Sequence, residues 1–120
     1  MGINVMVVDD SAFMRNMLKN IISEAGSQVV AEAGNGQEAM DKFGESNPDL
    51  VFMDIMMPNV NGIEALKGII AKNKGAKVVM CTSVGQQKII NEAVEAGASD
   101  FIVKPFQKDD VLSVIKKYGG

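Results

Sequence analysis

The sequence predicts an α/β fold: a doubly wound, five-stranded parallel sheet flanked by five helices. Two observations predict it. Apolar runs of strand length alternate with stretches of helical periodicity five times along the 120 residues. The strand runs are almost purely apolar, as in parallel strands covered by helices on both faces. Crossovers between such strands are right-handed. No gap between elements is long enough for a domain boundary, so residues 1–120 read as one domain.

The elements follow in order. Ile3 to Val8 is an apolar, β-branched strand ending in Asp9-Asp10. Ser11 suits a helix N-cap. Met14, Met17, Leu18, Ile21, Ile22 and Ala25 then form one apolar stripe, and Gly26 stops the helix. Gln28 to Ala33 is a weaker strand. Gly34-Asn35-Gly36 turns, Gln37 to Phe43 is a short helix with Ala39, Met40 and Phe43 inward, and Asn47-Pro48 breaks it. Asp49 to Met53 is the third strand, and Asp54 ends it. Ile63 to Ala71 is a helix with Leu66, Ile69 and Ile70 inward. Lys77 to Cys81 is a strand leading into Thr82-Ser83. Gly85 to Ala96 is a helix with Ile89, Ile90, Ala93 and Val94 inward, closed by Gly97. Ser99 to Val103 is the fifth strand, ending in Lys104-Pro105. Gln107 to Tyr118 is the last helix, with Val111, Leu112 and Ile115 inward.

Composition removes several functions. Net charge is −3 and the pI is about 4.9, which argues against a nucleic-acid partner. No apolar run reaches the length of a membrane span, and the amino terminus does not resemble a signal peptide, so a cytoplasmic setting is expected. With one cysteine and no histidine, a disulfide framework, imidazole metal sites and His-based general base catalysis are excluded. Chemistry must run on carboxylates, hydroxyls, amides and lysine.

Such residues stand at the strand ends: Asp9 and Asp10, Asp54, Thr82 and Lys104. In a parallel sheet these ends share one edge, where open α/β sheets bind ligands. Taken singly, each has an ordinary explanation. Asp9-Asp10 suits a helix cap and first turn, Asp54 a turn, Thr82 a cap, and Lys104 a solvated loop. Their agreement at one edge favours chemistry. Three crowded acids repel one another unless a cation neutralises them. Mg²⁺, held by carboxylates and phosphate oxygens, fits. Lysine and a hydroxyl complete a phosphoryl site, with Asp54 as the nucleophile that forms an acyl phosphate and Asp9 and Asp10 holding the metal.

Val7-Val8-Asp9-Asp10-Ser11, Met53-Asp54-Ile55-Met56-Met57-Pro58, Asn61-Gly62, Thr82-Ser83 and Val103-Lys104-Pro105-Phe106 resemble the signature blocks of response-regulator receiver domains, in the correct order. The resemblance covers essentially the whole chain. With no output domain attached, and with Phe13-Met14-Arg15 and Gly85-Gln86-Gln87 in place, it is closest to the stand-alone chemotaxis members. The resemblance implies the flavodoxin-like strand order 2-1-3-4-5, which belongs to the family and not to the residue pattern. It implies that Asp54 takes a phosphoryl group from a chemotaxis histidine kinase. Mg²⁺ would be held by Asp9, Asp10, Asp54 and the Met56 backbone carbonyl. Lys104 would contact the phosphoryl oxygens, Thr82 would move its hydroxyl onto them, and Phe101 would swing inward. Lys104-Pro105 would be a cis bond. The face of the fourth helix, fifth strand and fifth helix would then bind a flagellar or archaellar motor switch or adaptor protein. A monomer is expected.

Departures carry expectations too. Phe101 replaces the common Tyr, and on the plain reading it is a strand core residue. Met56 and Val84, two positions beyond Asp54 and Thr82, are both apolar, so slow spontaneous dephosphorylation and a dedicated phosphatase are expected. Within the family, a phosphorelay intermediate or a non-chemotaxis output is the alternative. A flavin carrier of this architecture would need a hydroxyl-rich loop where two acids stand here. A haloacid-dehalogenase-type phosphatase would need an acid at Met56. The chain is therefore expected to be a phosphoacceptor and not a turnover enzyme.

Overall fold

The computed structural model describes residues 2–57, 60–83 and 87–119. The order is β1 (Asn4–Val8), α1 (Ala12–Glu24), β2 (Gln28–Ala33), α2 (Gly36–Ser46), β3 (Leu50–Asp54), α3 (Gly62–Lys72), β4 (Val78–Ser83), α4 (Gln87–Glu95), β5 (Asp100–Lys104) and α5 (Lys108–Gly119). All five strands are parallel, in the order β2-β1-β3-β4-β5. This is the flavodoxin-like arrangement expected from the family resemblance.

Strand side chains alternate between faces, so one apolar run feeds two cores. Met6, Val8, Val51, Met53, Val78 and Met80 pack with α2 and α3 and with Ala93 of α4. Val5, Val7, Leu50, Phe52, Val79 and Cys81 face the other way, onto Leu18 and Ile22 of α1 and Val111, Val114 and Ile115 of α5. Each large side chain so buried contributes about 1.5–3 kcal/mol. The central strands are sealed on both faces because each face meets helices.

The edge strand β5 departs from that pattern. Only Ile102 is buried there, while Phe101 is 43% and Val103 37% exposed. Phe101, on the edge strand, is thus not a core residue. Val94, expected inward, is 57% exposed. One residue advances a helix by about 100°, which carries Val94 off the stripe that buries Ala93. In α5 the buried set is Val111, Val114 and Ile115, an i, i+3, i+4 stripe that leaves Leu112 half-buried.

Asn35 and Asn61 are helix N-caps and not plain turn residues. Their side chains accept from Glu38 N at 2.9 Å and Glu64 N at 3.0 Å. Helix α2 runs on past Phe43 to Ser46 and ends at Asn47, whose φ of 46° is left-handed. Gly26 closes α1 in the same region, at φ 82°. The expected start of α4 at Gly85 falls outside the described residues. Strands β3, β4 and β5 each run at least one residue further than expected, so Asp54, Thr82 and Lys104 lie within their strands. Backbone pairing therefore holds them, and no loop intervenes.

Candidate functional site

Strands β1 and β3 are neighbours, and that adjacency brings Asp9 beside Asp54. Asp9 follows the last residue of β1, and its N–H donates to the Ala33 carbonyl at 3.0 Å. Carboxylate oxygens of Asp9, Asp10 and Asp54 lie within 4.8 Å of one another. Asp9 and Asp54 are buried, at 1% and 6% exposure, while Asp10 is open to solvent. From β5, Lys104 Nζ reaches both buried acids, at 2.9 Å to Asp9 Oδ2 and 3.2 Å to Asp54 Oδ1. Asp9 Oδ1 accepts from Ser11 N at 2.9 Å, so each of its oxygens has a donor. The Lys104 ammonium also lies 5.9 Å from the ring centre of the buried Phe106. The Lys104-Pro105 bond is cis.

Charge dominates this edge. Burial pushes the Asp54 carboxyl above its ordinary value; Lys104 pulls it back, and the charges of Asp9 and Asp10 push it up again. For Lys104, burial works against the charge but is outweighed by the Asp9 hydrogen bond and the nearby Asp54, and the balance is upward. Burial likewise pushes the Cys81 thiol up, so it stays protonated and packs as a small apolar group. Three carboxylates against one ammonium leave excess negative charge in a small space. Oxygen donors, converging and partly buried, are the set a hard divalent cation prefers. The residues present therefore fit a metal ion.

A pH dependence follows. A carboxyl whose folded pKa lies above its unfolded value holds its proton more tightly when folded, so its ionisation costs stability. In metal-free buffer, Asp54→Asn is expected to melt several degrees above the wild type at pH 7, with the gap closing as pH falls through the Asp54 pKa. Calorimetry with EDTA checks it, and a gap that held constant into acid would show another cause.

Of the remaining residues named from sequence, Thr82 is buried at the same edge, its hydroxyl donating to the Ser83 carbonyl at 3.4 Å. Phe101 points outward. Met56, two residues beyond Asp54, is 68% exposed. Val84, Gly85 and Gln86 lie outside the described residues, as does Pro58.

A polar network beneath Asp9 escaped sequence reasoning. Arg15 donates to the Asp9 main-chain carbonyl at 2.6 Å and to Glu32 Oε1 at 3.1 Å. Lys19 holds Glu32 Oε2 at 2.8 Å. The one signal in the sequence was a glutamate, Glu32, between two alanines in strand β2.

Comparison with known proteins agrees with this geometry. The response regulator receiver domain family matches residues 5–116. Chemotaxis protein CheY of Thermotoga maritima is 52% identical over 117 residues, covering 98% of each chain. Chemotaxis protein CheY of Bacillus subtilis is 51% identical over 117 residues, again 98% of each. A crystal structure of the CheX-CheY-BeF3-Mg2+ complex from Borrelia burgdorferi superposes with a TM-score of 0.90 at 35% identity, covering 96% of this chain and 88% of the other. With the acids and Lys104 at one sheet edge and the family match running through every strand, the chain belongs to the response regulator receiver domain family and is similar throughout to its chemotaxis members.

Proposed function

We propose that the chain is a phosphorylation-activated chemotaxis response regulator. The observation that carries this reading is Lys104 bridging two buried acids, one just past the end of β1 and one at the end of β3. Asp54 is the phosphoacceptor. Its carboxylate oxygen attacks phosphorus in a phosphohistidine of the partner kinase; the phosphorus–nitrogen bond breaks, and the imidazole leaves with the electron pair and takes up a proton. Asp9, Asp10, Asp54 and the Met56 carbonyl would hold Mg²⁺, which when bound neutralises charge on the acids and the transferred group. Lys104 is already placed to exchange its Asp54 contact for a phosphoryl oxygen. Thr82, buried on the neighbouring strand, supplies a hydroxyl to the same group. The chain promotes only its own phosphorylation and dephosphorylation and turns over no separate substrate.

The output follows from exposed apolar side chains near β5. Phe101 and Val103 of β5 are open to solvent, as is Val94 of α4, and exposed apolar side chains of this kind suit a protein partner. Phe101 has an outward position to leave when the phosphoryl group draws Thr82 across. A motor switch or adaptor protein of a flagellum or archaellum is the proposed partner. It must prefer the phosphorylated state, because equal affinity for both states transmits nothing. The Borrelia burgdorferi CheY forms its crystalline complex with CheX in the presence of BeF3 and Mg2+, which supports partner binding in that state. With apolar Met56 two positions beyond Asp54, phosphate loss is slow and a dedicated phosphatase is used.

Mass spectrometry after treatment with acetyl phosphate and Mg²⁺ tests the reading. One added phosphoryl group is expected on the wild type and none on Asp54→Asn or in EDTA. A protein left unmodified, or modified equally in the variant, would overturn it.

A further inference from the structure

We infer that Arg15 is a positioning residue for the metal-binding acids, acting through the main-chain carbonyl of Asp9. The inference rests on the phosphoacceptor reading and extends it to a residue outside the acid cluster. Arg15 lies in α1, and its guanidinium is forked between the residue just past β1 and strand β2. Nη1 donates to Asp9 O at 2.6 Å, and Nε donates to Glu32 Oε1 at 3.1 Å. The Asp9 carbonyl belongs to the peptide that joins Asp9 to Asp10. Holding that plane sets ψ of Asp9 and φ of Asp10, and hence the direction in which the Asp10 carboxylate leaves the chain. Asp9 is held elsewhere by its N–H, its two carboxylate oxygens and its burial. Asp10 is exposed, so packing does not aim it.

Glu32 is the anchor for this fork. It pairs with Val7 in the β1–β2 ladder, one step before the end of β1. Its second oxygen is taken by Lys19 at 2.8 Å, and its own carbonyl accepts from Lys42 Nζ. Arg15 is therefore clamped at one end by a fixed carboxylate and presses its other end on the Asp9–Asp10 peptide. Outer contacts of this kind orient ligands and govern affinity. A lysine at position 15 carries the charge but lacks the planar fork.

Mn²⁺ binding to the full chain, followed by electron paramagnetic resonance, tests the assignment with the metal alone. Arg15→Met is expected to weaken Mn²⁺ binding about tenfold, and Arg15→Lys to recover little of it. Lys19→Met breaks the other half of the Glu32 pairing without touching Asp9, and is expected to leave affinity within about twofold. Phosphorylation of Arg15→Met by acetyl phosphate should reach the wild-type rate at saturating Mg²⁺, a loss in metal requirement only. Wild-type affinity in Arg15→Met, an equal loss in Lys19→Met, or full rescue by Arg15→Lys would overturn the inference. A wild type that bound no Mn²⁺ would remove the phosphoacceptor reading itself, and the inference with it.

Discussion

Lys104→Met is expected to destabilise the metal-free protein by about 2 kcal/mol at neutral pH and to abolish signalling at any pH. Removing one member of a buried ion pair costs about 3–5 kcal/mol. The side chain here is 21% exposed and the site opens at a sheet edge, so water recovers part of that. Asp9 and Asp54, whose side chains are 2% and 8% exposed, would face each other with no cation between them. The sign of the pH dependence is fixed by the two pairs. Lys104 has a folded pKa raised above its ordinary 10.5, so its contribution is fully present below that value and is lost as pH rises through the raised one. In the methionine variant the deficit therefore spans the whole neutral range. It shrinks as pH falls through the raised Asp54 value, where a proton takes the place of the ammonium. Saturating Mg²⁺ should also restore most of the loss, because a divalent cation supplies the missing positive charge. Urea unfolding in EDTA and in Mg²⁺, at neutral and mildly acid pH, checks this. An equal deficit in all conditions would mean that Lys104 matters for packing and not for charge.

Gly62→Ala is expected to cost about 3 kcal/mol and to uncouple the protein from its phosphodonor. An added Cβ would stand 2.0 Å from the Asp54 carbonyl oxygen and 2.8 Å from Ile55 Cα. Both are backbone atoms of the strand end that carries the acid, and neither can rotate away. Gly62 also donates its N–H to the Ile55 carbonyl at 2.9 Å. The first turn of α3 is thus seated directly on the Asp54 peptide, and relief of the clash must displace one or the other. Denaturant titration, together with acetyl phosphate labelling by mass spectrometry, measures both effects. Wild-type labelling in a destabilised variant would separate the helix seat from the chemistry.

The central fold was legible because the strands announce themselves twice. Val5 to Val8 and Leu50 to Met53 are apolar at every position, which only a sheet covered on both faces can bury. The acids at their ends then share an edge by parallelism alone. What was not legible is partnership across the sheet. No spacing rule places Lys104 against Asp9 and Asp54 together; strand order does, and that order came from family likeness. Edge effects were also missed. Phe101 and Val94 look like core residues in a one-dimensional pattern, yet Phe101 lies on the edge strand β5 and Val94 lies off the α4 stripe that buries Ala93, and both are exposed. The Arg15–Glu32–Lys19 network was hidden for a related reason. Its members are 17 and 13 residues apart, on a helix and an edge strand whose contact follows from β2 lying beside β1.

The bond from Lys104 to Asp9 joins residues 95 positions apart. During synthesis the lysine emerges from the ribosome long after both carboxylates. A nascent chain that has made only its first four strands carries the acids but not the ammonium that bridges them. On the proposed reading, competence to report a stimulus would thus arrive last, with the fifth strand, and a prematurely terminated polypeptide would stay silent.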